Sequence, residues 1–148
     1  MSPKKRRHVN FSFAYTNVRS LASKMQSLID YFEELGLSFA VVTESWLYDG
    51  KALQDAVDDL EGGVGIGILT RNRARKGRKV AGGGVAVAFD KKRLNLKMIP
   101  TRMDGCEIIT ASGKLRGISR KLVIIAAYIP PKQGPLVGTN SSTPCPGL

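Results

Sequence analysis

The chain is poor in the residues that build cross-linked or metal-clipped folds. Two cysteines in 148 residues, Cys106 and Cys145, are too few for a disulfide framework or a zinc site. The single histidine, His8, stands ahead of the first expected strand, and nothing in the sequence carries it toward a site. Long apolar runs are missing as well. The longest, Leu122 to Ile129, is far short of the ~20 residues that a membrane helix needs. The basic N-terminus is not followed by an apolar stretch of signal-peptide length. These absences predict an intracellular chain with no membrane partner. What remains is ordinary for a globular domain: 43% hydrophobic and 24% charged residues, in a chain long enough to bury about 70% of its unfolded surface.

Acidic residues are scarce only in the second part of the chain. Residues 1–61 carry 7 basic and 9 acidic side chains, whereas residues 62–148 carry 16 and 3. The formal net charge of +11 is therefore concentrated in one region. Such an asymmetry points to a polyanionic partner, most simply nucleic acid. Its densest stretch is Arg71, Arg73, Arg75, Lys76, Arg78 and Lys79, which reads as a loop. A second basic cluster, Lys4 to Arg7, lies in an N-terminal arm (1–10) and reads as a nuclear-localisation signal, a phosphate-touching tail or a frayed end.

Hydropathy patterning divides the rest into elements. Phe11, Phe13 and Tyr15 alternate with small or polar residues as in a strand. Ser20 suits a helix N-cap, and Leu21, Met25, Leu28, Ile29, Phe32 and Leu35 form one apolar stripe that ends at Gly36. Ser38 to Thr43 reads as a buried strand. Strand, helix and strand make a parallel crossover, so Asn17 and Glu44 are expected at the same rim of a sheet. A second helix is predicted over 51–60, followed by strands at 64–69, 85–89, 94–99, 107–110 and 121–129. Residues 132–148, rich in Pro, Gly, Ser and Thr, read as a disordered tail. One crossover followed by a run of strands predicts an α/β layered sandwich rather than a doubly wound sheet.

Several motifs fail on context. Gly63-Val64-Gly65-Ile66-Gly67 follows a helix and enters a strand, whereas a dinucleotide loop joins a strand to a helix. Ser112-Gly113-Lys114-Leu115 lacks the hydroxyl residue that a P-loop places after its lysine. The sequons at Asn10 and Asn140 are chance matches without a secretory signal. A glutamate that ends a buried strand, Glu44, asks for a partner. Two suit it: a hard cation such as Mg²⁺, which takes one or two carboxylates and fills its remaining positions with water and phosphate oxygens, or one of the many arginines.

The ordered set Asn17-Val18-Arg19-Ser20-Leu21 with Lys24, then Thr43-Glu44-Ser45-Trp46-Leu47, then Gly82-Gly83-Gly84-Val85-Ala86-Val87, then Tyr128-Ile129-Pro130-Pro131 resembles the endonuclease/exonuclease/phosphatase superfamily. It is most similar to the endonuclease domain of non-LTR (LINE-type) retrotransposons, over about residues 11–131. The resemblance implies two packed sheets flanked by helices, a four-layer α/β sandwich, and Mg²⁺- or Mn²⁺-dependent hydrolysis of a DNA phosphodiester bond. It makes Glu44 the main metal ligand, Asn17 a support for the metal or the scissile phosphate, and Tyr128 a phosphate-contacting hydroxyl.

The pattern also departs from the family. The later Asp-x-Asn and Ser-Asp-His motifs do not occur, and no aspartate follows Asp104. The resemblance therefore implies a partial domain with its C-terminal half missing. Because catalytic sets act as units, such a chain is expected to be inactive or nearly so. Two other readings stand beside it: a non-catalytic basic nucleic-acid-binding fragment, and a remnant without a function of its own.

Overall fold

In the computed structural model the described residues are 10–46, 50–71, 74–75, 78–79 and 83–131. The basic arm, except Asn10, and the tail fall outside them. The elements run β1 (Phe13–Asn17), α1 (Met25–Leu35), β2 (Phe39–Thr43), α2 (Gly50–Asp58), β3 (Ile66–Arg71), β4 (Ala74–Arg75), β5 (Arg78–Lys79), β6 (Val85–Asp90), β7 (Leu94–Ile99), β8 (Glu107–Leu115) and β9 (Lys121–Tyr128). The first sheet has the order β1-β2-β6-β3, with β1 and β2 parallel and the other pairs antiparallel. The second sheet is the antiparallel meander β7-β8-β9.

The layering follows from the period of two along the strands. Ala40, Val42, Ala86 and Ala88 face α1 and α2, where Leu21, Met25, Leu28, Ile29, Phe32 and Val57 close one core. Phe39, Val85, Val87 and Phe89 face the other way, onto Leu94, Leu96, Ile109, Ile124 and Ala126 of the second sheet. The first sheet is thus apolar on both faces, a middle layer between helices and the second sheet. A row of rings crosses it. Phe13 pairs with Phe39, their rings stacking at 5.2 Å, and Phe39 pairs with Phe89. Opposite Phe89 stands Gly67, where a Cβ would come within 2.3 Å of the Phe89 ring.

Four expectations change at the level of local geometry. Ser20 does not cap the helix. Its φ is +87°, its amide donates to the Glu44 carbonyl at 2.9 Å, and α1 begins only after a 3-10 turn over Ala22–Lys24. Leu35 is exposed, because Gly36 takes the left-handed conformation and Leu37 enters the core in its place. The glycine-rich strand starts later than its composition suggests, since Gly63–Gly65 form a 3-10 turn and β3 begins at Ile66. The basic stretch is more than a loop: β4 and β5 pair as a short antiparallel ribbon.

Strand β3 is an edge of its sheet, and α2 covers it through one side chain. Gln54 Nε2 donates to the Ile66 carbonyl at 2.9 Å, and its Oε1 accepts from the Ile68 amide at 2.9 Å. The side-chain amide thus stands in for a neighbouring strand at an otherwise open edge. Gln54→Leu is expected to lower the unfolding free energy by about 2 kcal/mol, since two partly buried backbone groups lose their partner. Urea denaturation checks this, and an unchanged midpoint would remove Gln54 from the account.

Candidate functional site

Parallel pairing puts the C-terminal ends of β1 and β2 together, with Asn17 opposite Thr43. The chain stays stitched beyond the strands. Ser20 and Leu21 amides donate to the Glu44 and Ser45 carbonyls, both at 2.9 Å. Ser45 and Trp46 amides in turn donate to the Gly84 and Gly83 carbonyls, at 3.3 and 3.0 Å. Three loops are therefore joined by backbone hydrogen bonds at one rim. The four non-glycine residues with positive φ among the described residues are Arg19, Ser20, Glu44 and Trp46, and all lie there. Each carries a cost of about 1–2 kcal/mol. Such strain persists only where the surroundings over-determine it, and it concentrates at functional sites.

The left-handed turn at Glu44 aims its side chain into the mouth between the sheets. Tyr128, the last residue of β9, donates its hydroxyl to Glu44 Oε1 at 2.9 Å across 84 residues of sequence. Glu44 Oε2 lies 4.0 Å from Arg19 Nε, and the Arg19 side chain is 81% exposed. That separation and exposure make a weak ion pair. Glu44 is half-buried and open to the rim, not locked to an interior arginine. Asn17 is exposed on the same face of β1 as Tyr15, whose hydroxyl meets Thr43 Oγ1 at 3.1 Å. Lys24 Nζ donates to the Val18 carbonyl and braces the Asn17–Ser20 turn.

The donor set at this rim is one accessible carboxylate and one amide. No cluster of three or more His, Cys, Asp or Glu residues occurs among the described residues. One carboxylate, with water and phosphate oxygens completing the shell, is a set that Mg²⁺ accepts.

The basic residues part company. Arg71 ends β3 and is half-buried, its Nη1 donating to the carbonyls of Thr101 and Ile108. That guanidinium is engaged in joining the two sheets. Arg75, Arg78 and Lys79 lie on the β4–β5 ribbon. Arg73 and Lys76 lie outside the described residues. Among the described residues no helix is long and apolar enough to cross a membrane.

Sequence reasoning missed Glu107. It opens β8 as a buried residue, stands directly opposite Tyr128, and accepts the Gly84 amide on Oε2. The available signal was a carboxylate heading an apolar strand in a region that holds 3 acidic residues.

No protein-family model and no curated protein matches this chain. Solved structures similar to it include the following two. One is a humanized D. rerio TDP2 carrying 14 mutations, with 15% identity and a TM-score of 0.50 over 79% of this chain and 49% of that one. The other is the 3′ phosphatase NExo from Neisseria bound to product DNA hairpin, with 14% identity and a TM-score of 0.40 over 74% and 38%. The chain spans about half the length of the TDP2 structure it matches. At such identities the likeness is one of architecture, and the chain has an α/β sandwich fold of the endonuclease/exonuclease/phosphatase type.

Proposed function

We propose that this chain carries the metal- and phosphate-binding part of a Mg²⁺- or Mn²⁺-dependent phosphodiesterase site, an endonuclease of retrotransposon type whose substrate is DNA. The observation that carries the reading is the Tyr128–Glu44 hydrogen bond, which brings two residues of the ordered motif set to the rim that also holds Asn17. Glu44 and Asn17 would hold the cation, and Tyr128, with one proton to donate, would orient the Glu44 carboxylate in the free site and turn its hydroxyl to a phosphate oxygen when the substrate binds. When bound, the cation neutralises charge on the phosphoryl oxygens. The sequence holds His8 alone as a histidine and no aspartate after Asp104, so the polypeptide by itself is expected to bind a phosphodiester far better than it cleaves one.

The test is Mn²⁺ titration followed by water-proton relaxation, with supercoiled plasmid and Mg²⁺ as the activity arm. The folded chain should bind Mn²⁺ and nick the plasmid at trace rates or not at all. Tyr128→Phe should weaken Mn²⁺ binding by about five- to tenfold, the worth of one typical intramolecular hydrogen bond. A folded chain that ignores Mn²⁺ would overturn the reading.

The charge of residues 62–148 favours a second reading, non-catalytic nucleic-acid binding. If about five basic residues reach phosphates, log K for duplex DNA should fall with log salt at a slope of roughly −4 to −5. A flat response, measured by fluorescence anisotropy, would exclude it.

A further inference from the structure

Glu107 is a carboxylate 8% exposed between two sheets, and the proposed chemistry does not use it. Its Oε2 accepts the Gly84 amide. The Gly84 carbonyl receives the Ser45 amide, and the adjoining Gly83 carbonyl receives the Trp46 amide. Ser45 and Trp46 are the two residues that follow Glu44. Gly84 is itself confined, at φ +94°, and a Cβ there would meet Ser45 Oγ at 2.6 Å. The main chain at 83–84 therefore packs against the Glu44 loop with no slack, and what fixes Gly84 fixes that loop.

We infer that Glu107 is a positioning residue for the rim: through the Gly84 amide it sets the backbone that presents Glu44. The β8–β9 register makes the arrangement two-handed. Glu107 and Tyr128 are directly opposed, so their side chains stand together on the inward face at the strand ends. Tyr128 grips the Glu44 carboxylate, and Glu107 grips the main chain beside it. A charged acceptor suits this task, because an ionised carboxylate binds an amide about twice as strongly as a neutral acceptor does. The grip also offsets the left-handed strain at Glu44 and Trp46, whose relaxation would let the carboxylate swing out of the mouth. The inference deepens the metal-site reading, and only the metal arm of its test rests on that reading.

The test is amide hydrogen exchange by NMR on the full chain and on Glu107→Gln, which keeps the side-chain volume and weakens the bond. Gly84, Ser45 and Trp46 amides should exchange about tenfold faster in the variant, the equivalent of roughly 1.4 kcal/mol. The Arg116 amide, bonded to the Arg93 carbonyl at 2.8 Å outside the rim, should be unchanged. Trp46 is the single tryptophan of the chain, so its acrylamide quenching gives a second readout. It should roughly double in Glu107→Leu and rise less in Glu107→Gln. If Glu107→Leu fails to fold, the isosteric variant decides alone. Equal acceleration at Arg116 would mean a general loss of stability and would overturn the inference. So would a faster Gly84 with Ser45 and Trp46 unchanged. In the metal arm, Mn²⁺ binding should weaken in Glu107→Gln in step with the exchange of Ser45 and Trp46. Weaker Mn²⁺ binding with an unchanged rim would make Glu107 a ligand rather than a support, and that too overturns it. A wild-type chain that binds no Mn²⁺ defeats the metal reading and leaves the exchange result to decide on Glu107.

Discussion

Glu44→Ala is expected to abolish divalent-cation binding, weakening Mn²⁺ by at least about a hundredfold, while the protein stays folded. The size follows from the donor set. Glu44 is the rim carboxylate open to solvent, and deleting even a supporting residue at a metal site costs about 10- to 100-fold. The fold survives because Glu44 contributes little to packing. It is half-buried, its ion pair to the exposed Arg19 spans 4.0 Å, and such pairs are worth about 1 kcal/mol or less. Alanine at φ +54° carries the same backbone penalty as glutamate does, so the left-handed turn is no more strained than before. Relaxation titration measures the binding and circular dichroism the fold. Any residual nicking of plasmid DNA by the wild-type chain should vanish with the substitution. Equal nicking by the two proteins would take Glu44 out of the chemistry.

Gly63→Ala is expected to cost at least about 3 kcal/mol, enough to lower the thermal midpoint by roughly 10 °C. The added methyl would stand 1.7 Å from the Val57 carbonyl oxygen and 2.8 Å from its carbon. These are backbone atoms at the end of α2 and cannot rotate aside. Relief requires the helix end to move off the 3-10 turn, and Val57, fully buried, moves with it. Two residues on, Gly65 provides a matched control. A Cβ there meets nothing within 4 Å, and its φ is not positive, so Gly65→Ala should be neutral or slightly stabilising through the unfolded chain. Calorimetry on the pair separates a steric cause from a general intolerance of the segment. Equal effects at both positions would defeat the argument.

Some of this was legible from composition and spacing. The α1 stripe announced a helix with one buried face, and Leu21, Met25, Leu28, Ile29 and Phe32 fill that face in the structure. The strand–helix–strand order forced β1 and β2 parallel, and so placed Asn17 beside the start of the Glu44 loop. Both inferences rest on periodicity and chain reach, which are local. Ser20 reads as a cap because its hydroxyl suits one, whereas its backbone serves the neighbouring loop. Arg71 reads in sequence as one of six loop cations, whereas its guanidinium is held by two carbonyls of other segments. In each case a long-range hydrogen bond overrode a local preference.

The residues by themselves determined that β1 and β2 run parallel, which face of α1 is apolar, and that the positive charge is concentrated in the second part of the chain. These properties depend on side-chain type and order alone. Only the tertiary structure decided that Tyr128 meets Glu44, that Glu107 stands behind Gly84, and that four strained residues share one rim. Those contacts join segments tens of residues apart. They exist because two sheets with matching apolar faces pack at one register and bring their strand ends to a common mouth, a geometry that no local pattern encodes.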